Sequence, residues 1–255
     1  MAEAADASRR PARLVARVAI LGETGDRGPG EDAARVLRPA PDETLCLLAD
    51  GLGGHGAGEV AAAIAIETVA RAVGRGPVRR EALPGAIAAA NRALTDARRR
   101  APSLSGMRTT FALLHLDATS AWWLHCGDTR LYHLRRGAVL ARTIDHSVAQ
   151  MEGAGSVAPD RNALTRSLGG SEAEARPRVV AAAVALRSGD RFLLCTDGWW
   201  AALDEAALSR PAVAEAADPA AWAEAARDPR APRASERDDA TAIAVSIGRP
   251  GTGAD

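Results

Sequence analysis

Four aspartates in this chain share one context. Asp50 follows the apolar run "LCLLA", Asp128 follows "WWLHCG", Asp197 follows "RFLLCT", and Asp238 precedes "DATAIAVSI". Each marks a point where an apolar strand emerges or enters. Taken singly, such an Asp makes a turn, and Asp-Gly is a common turn dipeptide. Gathered at one end of a sandwich, four carboxylates repel one another, and an unpaired, partly buried carboxylate costs several kcal/mol. A cluster of this kind needs cations. Arginine serves in some proteins, but oxygen-only donors suit hard divalent ions, Mg²⁺ or Mn²⁺. Glycine follows Asp50 and Asp197 directly, which leaves the backbone open to close approach. Residue types set the chemistry; the fold must bring the four together.

The surrounding text predicts the elements that would do so. Leu14–Leu21 reads as a strand, Gly22–Asp32 as a Gly-rich loop and Thr44–Ala49 as a second strand ending at Asp50. Val60, Ile64, Val69 and Val73 then recur at roughly helical spacing until Gly74. Leu83, Ile87, Ala90, Leu94 and Ala97 repeat that period, with Pro84 in the first turn. "RTTFALLHLD", "AWWLHCG" and "RLYHLRRGAVLART" read as strands joined by tight turns, "RRGA" being a hairpin turn. Residues 146–176 are irregular. "RVVAAAVAL" and "RFLLCT" read as two strands around a "RSGD" turn, followed by helical text over 199–227 broken at Pro211 and Pro219 and by a closing strand, "ATAIAVSI". The expected fold is α+β: a four-layer α-β-β-α sandwich with two central, mostly antiparallel sheets.

The 255 residues suffice for one large domain with a sizeable core. Hydrophobic content of 47% is ordinary for a globular protein, and a net charge of +0 gives no general attraction to nucleic acid or anionic membrane. All 32 basic residues are Arg, which fits GC-rich coding. Cys46, Cys126 and Cys195 lie scattered in apolar runs, so buried free thiols and a reducing compartment are expected. The start "MAEAADASRRPAR" has no apolar core of a leader, and no stretch approaches a membrane span. The reading is a cytoplasmic, unanchored protein.

The same motifs, taken in order, resemble the metal-dependent protein phosphatases (the PPM or protein phosphatase 2C family) in their compact bacterial form. "GDRGPGEDA" resembles the family's Arg-containing loop ending in an acidic pair. "ADGLGGHGAGEVA" is very similar to its strongest signature, and "GMRTTFALL", "HCGDTRLYHLRRG", "TIDHS", "NALTRSLGG", "SGDRFLLCTDGWW" and "RDDAT" follow in the family's order across roughly 14–247. The resemblance implies a single phosphatase domain over 14–247, a flap-like segment at about 146–176, and tails at 1–13 and 248–255. It implies that phosphoserine and phosphothreonine in proteins are hydrolysed by a metal-activated water, in opposition to a bacterial Ser/Thr kinase. By position, Asp50, the Gly51 carbonyl, Asp197 and Asp238 would hold two core Mn²⁺ or Mg²⁺ ions. Glu31 or Asp32 would ligate directly or through water, and Asp128 would help hold a looser third ion. Arg27 would bind phosphate, and His55 is the nearest candidate proton donor. Partners would be phosphorylated proteins, with no nucleic acid or membrane, and the protein would act as a monomer.

The sequence also departs from that pattern. Asp239 stands where Asn is usual, and would add negative charge near the ions. Arg108 replaces a Gly, and would either pack outward or crowd its strand. The segment 148–161 is short for a flap. His146 is expected to be structural, and His115, His125 and His133 to pack in strands or face solvent. Two other readings stay open: a pseudophosphatase or phosphoprotein-binding regulator, and a small-molecule phosphomonoesterase.

Overall fold

Alternation along the second long apolar run sets the architecture. Leu45, Leu47 and Ala49 face helices, whereas Cys46 and Leu48 face a second sheet, as the period of two requires. The structure is a computed structural model that describes residues 13–25, 30–53, 56–152, 163–180, 182–231 and 238–250. In chain order its elements are β1 (Val15–Glu23), β2 (Asp32–Leu37), β3 (Thr44–Leu52), α1 (Ala57–Val73), α2 (Leu83–Arg100), β4 (Arg108–Thr109), β5 (Phe111–Leu116) and β6 (Ser120–Cys126). There follow β7 (Arg130–Arg135), β8 (Ala138–Arg142), α3 (Val148–Glu152), β9 (Arg178–Val179), β10 (Val184–Ala185), β11 (Asp190–Cys195), α4 (Asp197–Trp200), α5 (Pro211–Glu215), α6 (Pro219–Ala225) and β12 (Ala240–Gly248).

One sheet runs β1-β12-β11-β7-β8, and the other runs β10-β6-β5-β3-β2, with β4 added to β3 and β9 to β6. The pairings among the described strands are antiparallel. Three apolar clusters fill three interfaces. Ala61, Ala65, Ile66, Val69, Ile87 and Leu94 pack α1 and α2 onto one sheet. Trp199, Leu208, Val213 and Trp222 cover the outer face of the other. Cys46, Leu48, Leu114, Phe192, Ile243 and Val245 join the sheets. This is the expected α-β-β-α sandwich. All three cysteines are buried free thiols, and no helix among the described residues is long and apolar enough to cross a membrane.

Several local expectations are corrected. β1 continues to Glu23, into the expected loop, and β2 was not expected at all. Its residues "DAARVL" are all half-buried, so they show no apolar alternation. β3 runs past Asp50 to Leu52 because β4 pairs with its end. "RVVAAAVAL" is not one strand but the two short strands β9 and β10, both on the β6 edge. The "RSGD" turn therefore crosses from one sheet to the other. Pro211 and Pro219 open helices rather than breaking one, because proline suits the first helical position. The "RRGA" hairpin is present: Arg136 and Gly137 take φ of 52° and 73° between β7 and β8, the backbone a tight two-residue turn requires. Within 146–176 the described ends are tied down, Ser147 bridging Leu164 and Leu168 bridging Thr109.

Candidate metal centre

The carboxylates meet where the two sheets share an end. Asp32 on β2 lies directly across from Asp50 on β3. Asp197 opens α4 just after β11, and Asp238 lies just before β12, which is hydrogen-bonded to β11. Asp128 sits between β6 and β7. The charges feel one another. Burial raises the Asp50 carboxyl well above its ordinary range, and Asp197, Asp32, Asp128 and Asp238 raise it further. Burial pushes Asp32 up to about 7, helped by Asp239 and Asp197 and opposed by hydroxyl donors from Thr241 and Thr196. Asp128 is also pushed up to about 7, by burial and then by Asp197 and Asp145. Carboxylates crowded this way hold a proton or a cation.

Hydroxyls and backbone fix the arrangement. The Asp50 carbonyl accepts from the Thr109 hydroxyl (2.8 Å) and the Thr110 N–H (2.9 Å), while the Asp50 N–H donates to Thr110 Oγ1 (3.1 Å). Thr110 Oγ1 also lies 2.6 Å from Thr129 Oγ1, beside Asp128. The "RTTF" and "GDTR" stretches are thus one hydrogen-bonded unit. Gly127 completes it, since its φ is 106° and a Cβ there would lie 2.7 Å from the Thr110 side chain. Thr196, on the other sheet, donates its hydroxyl to Asp32 Oδ2 (2.9 Å) and accepts from the Thr241 N–H (2.9 Å). The Trp200 indole donates to the Asp128 carbonyl (3.1 Å), and the Arg130 guanidinium lies 3.7 Å above the Trp200 ring. Arg130 is itself held by two bonds to Asp145, 3.0 and 2.7 Å.

The glycines after Asp50 have a steric reason the sequence did not reveal. A Cβ on Gly51 would lie 2.1 Å from the Gly58 carbonyl oxygen and 2.7 Å from that of Glu31. A Cβ on Gly58 would run into the Glu31 carboxylate at 2.6 Å. The end of β3, the first turn of α1 and Glu31 touch with no room for a methyl group. Glu31 thus lies over the start of α1, while Asp32 turns toward Thr196. Gly51→Ala should therefore destabilise the fold by about 1–3 kcal/mol or more, read as a lower urea midpoint. An unchanged midpoint would mean that this contact is loose.

Asp239 was expected to add charge beside the ions. Its carboxylate does press on Asp32, but its two oxygens also accept backbone N–H groups of Gly25 (2.8 Å) and Glu31 (2.5 Å). An acceptor-only group suits two donors. Arg108 packs outward and pairs with Glu174 at 3.1 Å. His146 is structural, as expected: its Nδ1 accepts the Gly127 N–H (3.1 Å) and its ring stacks on His125, and burial and that neighbour push it down to about 3. His115, His125 and His133 are buried. Arg27 and His55 lie outside the described residues. Sequence reading missed Thr109, Thr110, Thr196 and Trp200 as positioning groups; the "TT" pair beside an apolar strand was the available signal.

The donor set fits a hard divalent cation. It is all oxygen, negatively charged and backed by glycine contacts that hold Glu31 and Gly51 in place. Among the described residues no group of three or more acidic, His or Cys side chains closes tightly enough to enclose an ion unaided. Open oxygen sites of this kind suit ions that keep several waters.

Known proteins agree with this geometry. The family described as protein phosphatase 2C matches residues 25–228. The serine/threonine protein phosphatase PstP of Mycobacterium tuberculosis is 34% identical over 187 residues, which takes in 68% of this chain and 36% of PstP. The chain therefore spans about a third of the length of that relative. The solved catalytic domain of PstP in complex with two manganese ions superposes with a TM-score of 0.74 at 30% identity, covering 92% of this chain and 99% of that one. PppA, a regulatory component of type VI secretion in Pseudomonas aeruginosa, superposes with a TM-score of 0.70 at 29% identity, covering 91% and 97%. With four-fifths of its length matched and its carboxylates grouped at one end of the sandwich, this chain belongs to the protein phosphatase 2C family.

Proposed function

We propose that the protein is a metal-dependent phosphatase that removes phosphate from phosphoserine and phosphothreonine in proteins. The observation that carries this reading is Asp50, half-buried and within electrostatic reach of four other carboxylates drawn from both sheets. Asp50, the Gly51 carbonyl, Asp197 and Asp238 would hold two Mn²⁺ or Mg²⁺ ions, with Glu31 or Asp32 contributing and Asp128 holding a third. When bound, such ions polarise phosphoryl oxygens and bring the pKa of a water toward neutrality.

The chain's own residues do the rest. Thr109 and Thr110 hold the Asp50 backbone, and Thr196 orients Asp32 from the opposite sheet. Trp200 and Arg130 steady the backbone of Asp128. Arg27 would grip phosphate oxygens, for which a planar guanidinium is well shaped, and His55 would supply a proton to the departing hydroxyl. Substrates would be phosphoproteins made by a Ser/Thr kinase in the cytoplasm, and the enzyme would work as a monomer formed by residues 14–247.

The test is phosphate release from a phosphothreonine peptide in Mn²⁺ and then in excess chelator. Release that stops with chelator supports the reading. A folded protein that binds the peptide without releasing phosphate would instead be a phosphoprotein-binding regulator. Activity confined to small phosphate esters would make it a phosphomonoesterase.

A further inference from the structure

A cleft of about 520 Å³ opens beside the centre. It is lined by Arg98, Arg99 and Arg108 with Thr95, Ser105 and Ser171, and none of the described lining residues is acidic, although Glu174 reaches Arg108 and the Ser171 N–H from beside it. The chain as a whole is neutral, so this concentration of positive charge is local. Among the described residues, the partners of these arginines leave donors unused. Arg98 donates to the Gly169 carbonyl. Arg99 faces Asp96 at 3.6 Å, with both side chains more than half exposed, and such a pair binds weakly. Arg108 gives one nitrogen to Glu174 and Ser167. Each guanidinium has five N–H donors.

The cleft also adjoins the centre. Arg108 pairs across the sheet with Leu52, and Thr109, the next residue, pairs with Gly51 and holds the Asp50 carbonyl. Asp50 is two strand residues from Leu52, about 7 Å along the strand. Arg108 stands where the family pattern read in the sequence has glycine, so it is an addition to the cleft.

We propose that this cleft receives a second phosphoryl group of a multiply phosphorylated protein segment while the first lies at the metal centre. The inference rests on the phosphatase reading and adds a substrate class to it. Guanidinium forks match phosphate oxygens two at a time, and the hydroxyls of Ser105 and Ser171 supply further donors; that of Thr95 already donates to the Asn91 carbonyl. A second phosphate two to five residues from the first would reach roughly 7–17 Å in an extended chain, which spans the gap.

The experiment compares peptides of one sequence carrying one phosphothreonine, or that group plus a phosphoserine two to five residues away. Wild-type protein should show kcat/KM at least about tenfold higher on the best doubly phosphorylated peptide. The double variant Arg99→Ser/Arg108→Gly should lose that preference and keep its rate on the singly phosphorylated peptide. No preference in the wild type, or a preference that survives the double variant, overturns the proposal. So does an equal gain from glutamate in place of the phosphoserine, which would show a general acidic preference. Fluorescence anisotropy of the doubly phosphorylated peptide in chelator separates the two readings. Binding weakened about tenfold or more by the double variant supports the cleft even if no peptide is hydrolysed. Binding the variant leaves unchanged overturns it.

Discussion

Asp50→Asn should leave a folded protein that releases phosphate on the order of 10³-fold more slowly, the scale of losing a main electrostatic group in an active site. The fold should survive because the main chain of Asp50, not its carboxylate, makes the structural bonds to Thr109 and Thr110. The side chain sits among Asp197, Asp32, Asp128 and Asp238, which all disfavour its charge. Asn has the same shape without the charge. In chelator the variant should melt at or above the wild-type temperature, since one member of a repelling set is gone. In Mn²⁺ it should lose most of the stabilisation that the ion gives the wild type. Thermal melts in the two buffers, beside phosphopeptide turnover, check both halves. Retained turnover, or a metal-free melting temperature lower by more than about 5 °C, would make Asp50 a structural residue.

The stability that Mn²⁺ adds should be larger at pH 8 than at pH 5. Asp32 and Asp128 are pushed up to about 7 in the folded protein, whereas an aspartate in an unfolded chain titrates near 3.9. Between these values the two folded carboxyls bind more protons than in the unfolded chain, so their contribution to stability falls as pH rises, while that of His115, His125 and His146, which burial pushes down, runs the other way. The carboxyl contribution is complete below about pH 4 and lost once pH passes about 7. From pH 5 to 8 the loss should reach roughly a few kcal/mol. Divalent ions bind deprotonated carboxylates and stabilise by mass action, so the gain from Mn²⁺ should be large at pH 8 and small at pH 5. Melting temperatures at both pH values, in chelator and in Mn²⁺, test this. A gain from Mn²⁺ no larger at pH 8 than at pH 5 would contradict it.

What could be read from the sequence follows from where the physics is local. An apolar run that stops at a carboxylate is visible in one dimension, so Asp50, Asp128, Asp197 and Asp238 stood out. The two long helices were visible through their period, and α1 and α2 lie where it placed them. β2 was not visible, because a strand half-buried on both faces has no alternation, and Arg35 interrupts what there is. The change of sheet at the "RSGD" turn was not visible, because nothing in four residues says which sheet the next strand joins. Only half of what Asp239 does was visible, for a related reason. Its value as an acceptor depends on Gly25 and Glu31, more than 200 residues away in the chain. The closeness of Gly51 to Gly58 was likewise hidden, since glycine-rich text predicts freedom and the structure uses it for contact.

The contact between the sheets is made of side chains such as Cys46, Leu48, Ile243 and Val245. Apolar contact of this kind is strong but without direction; it keeps two layers together and tolerates small slips of one over the other. Oxygen ligands are directional. Because β2 and β3 supply carboxylates from one layer and the ends of β11 and β12 from the other, the hydroxyl of Thr196 bonding to Asp32 already acts as a pin through both. An ion held there would be a second pin, and the sandwich would gain alignment between its layers as well as strength.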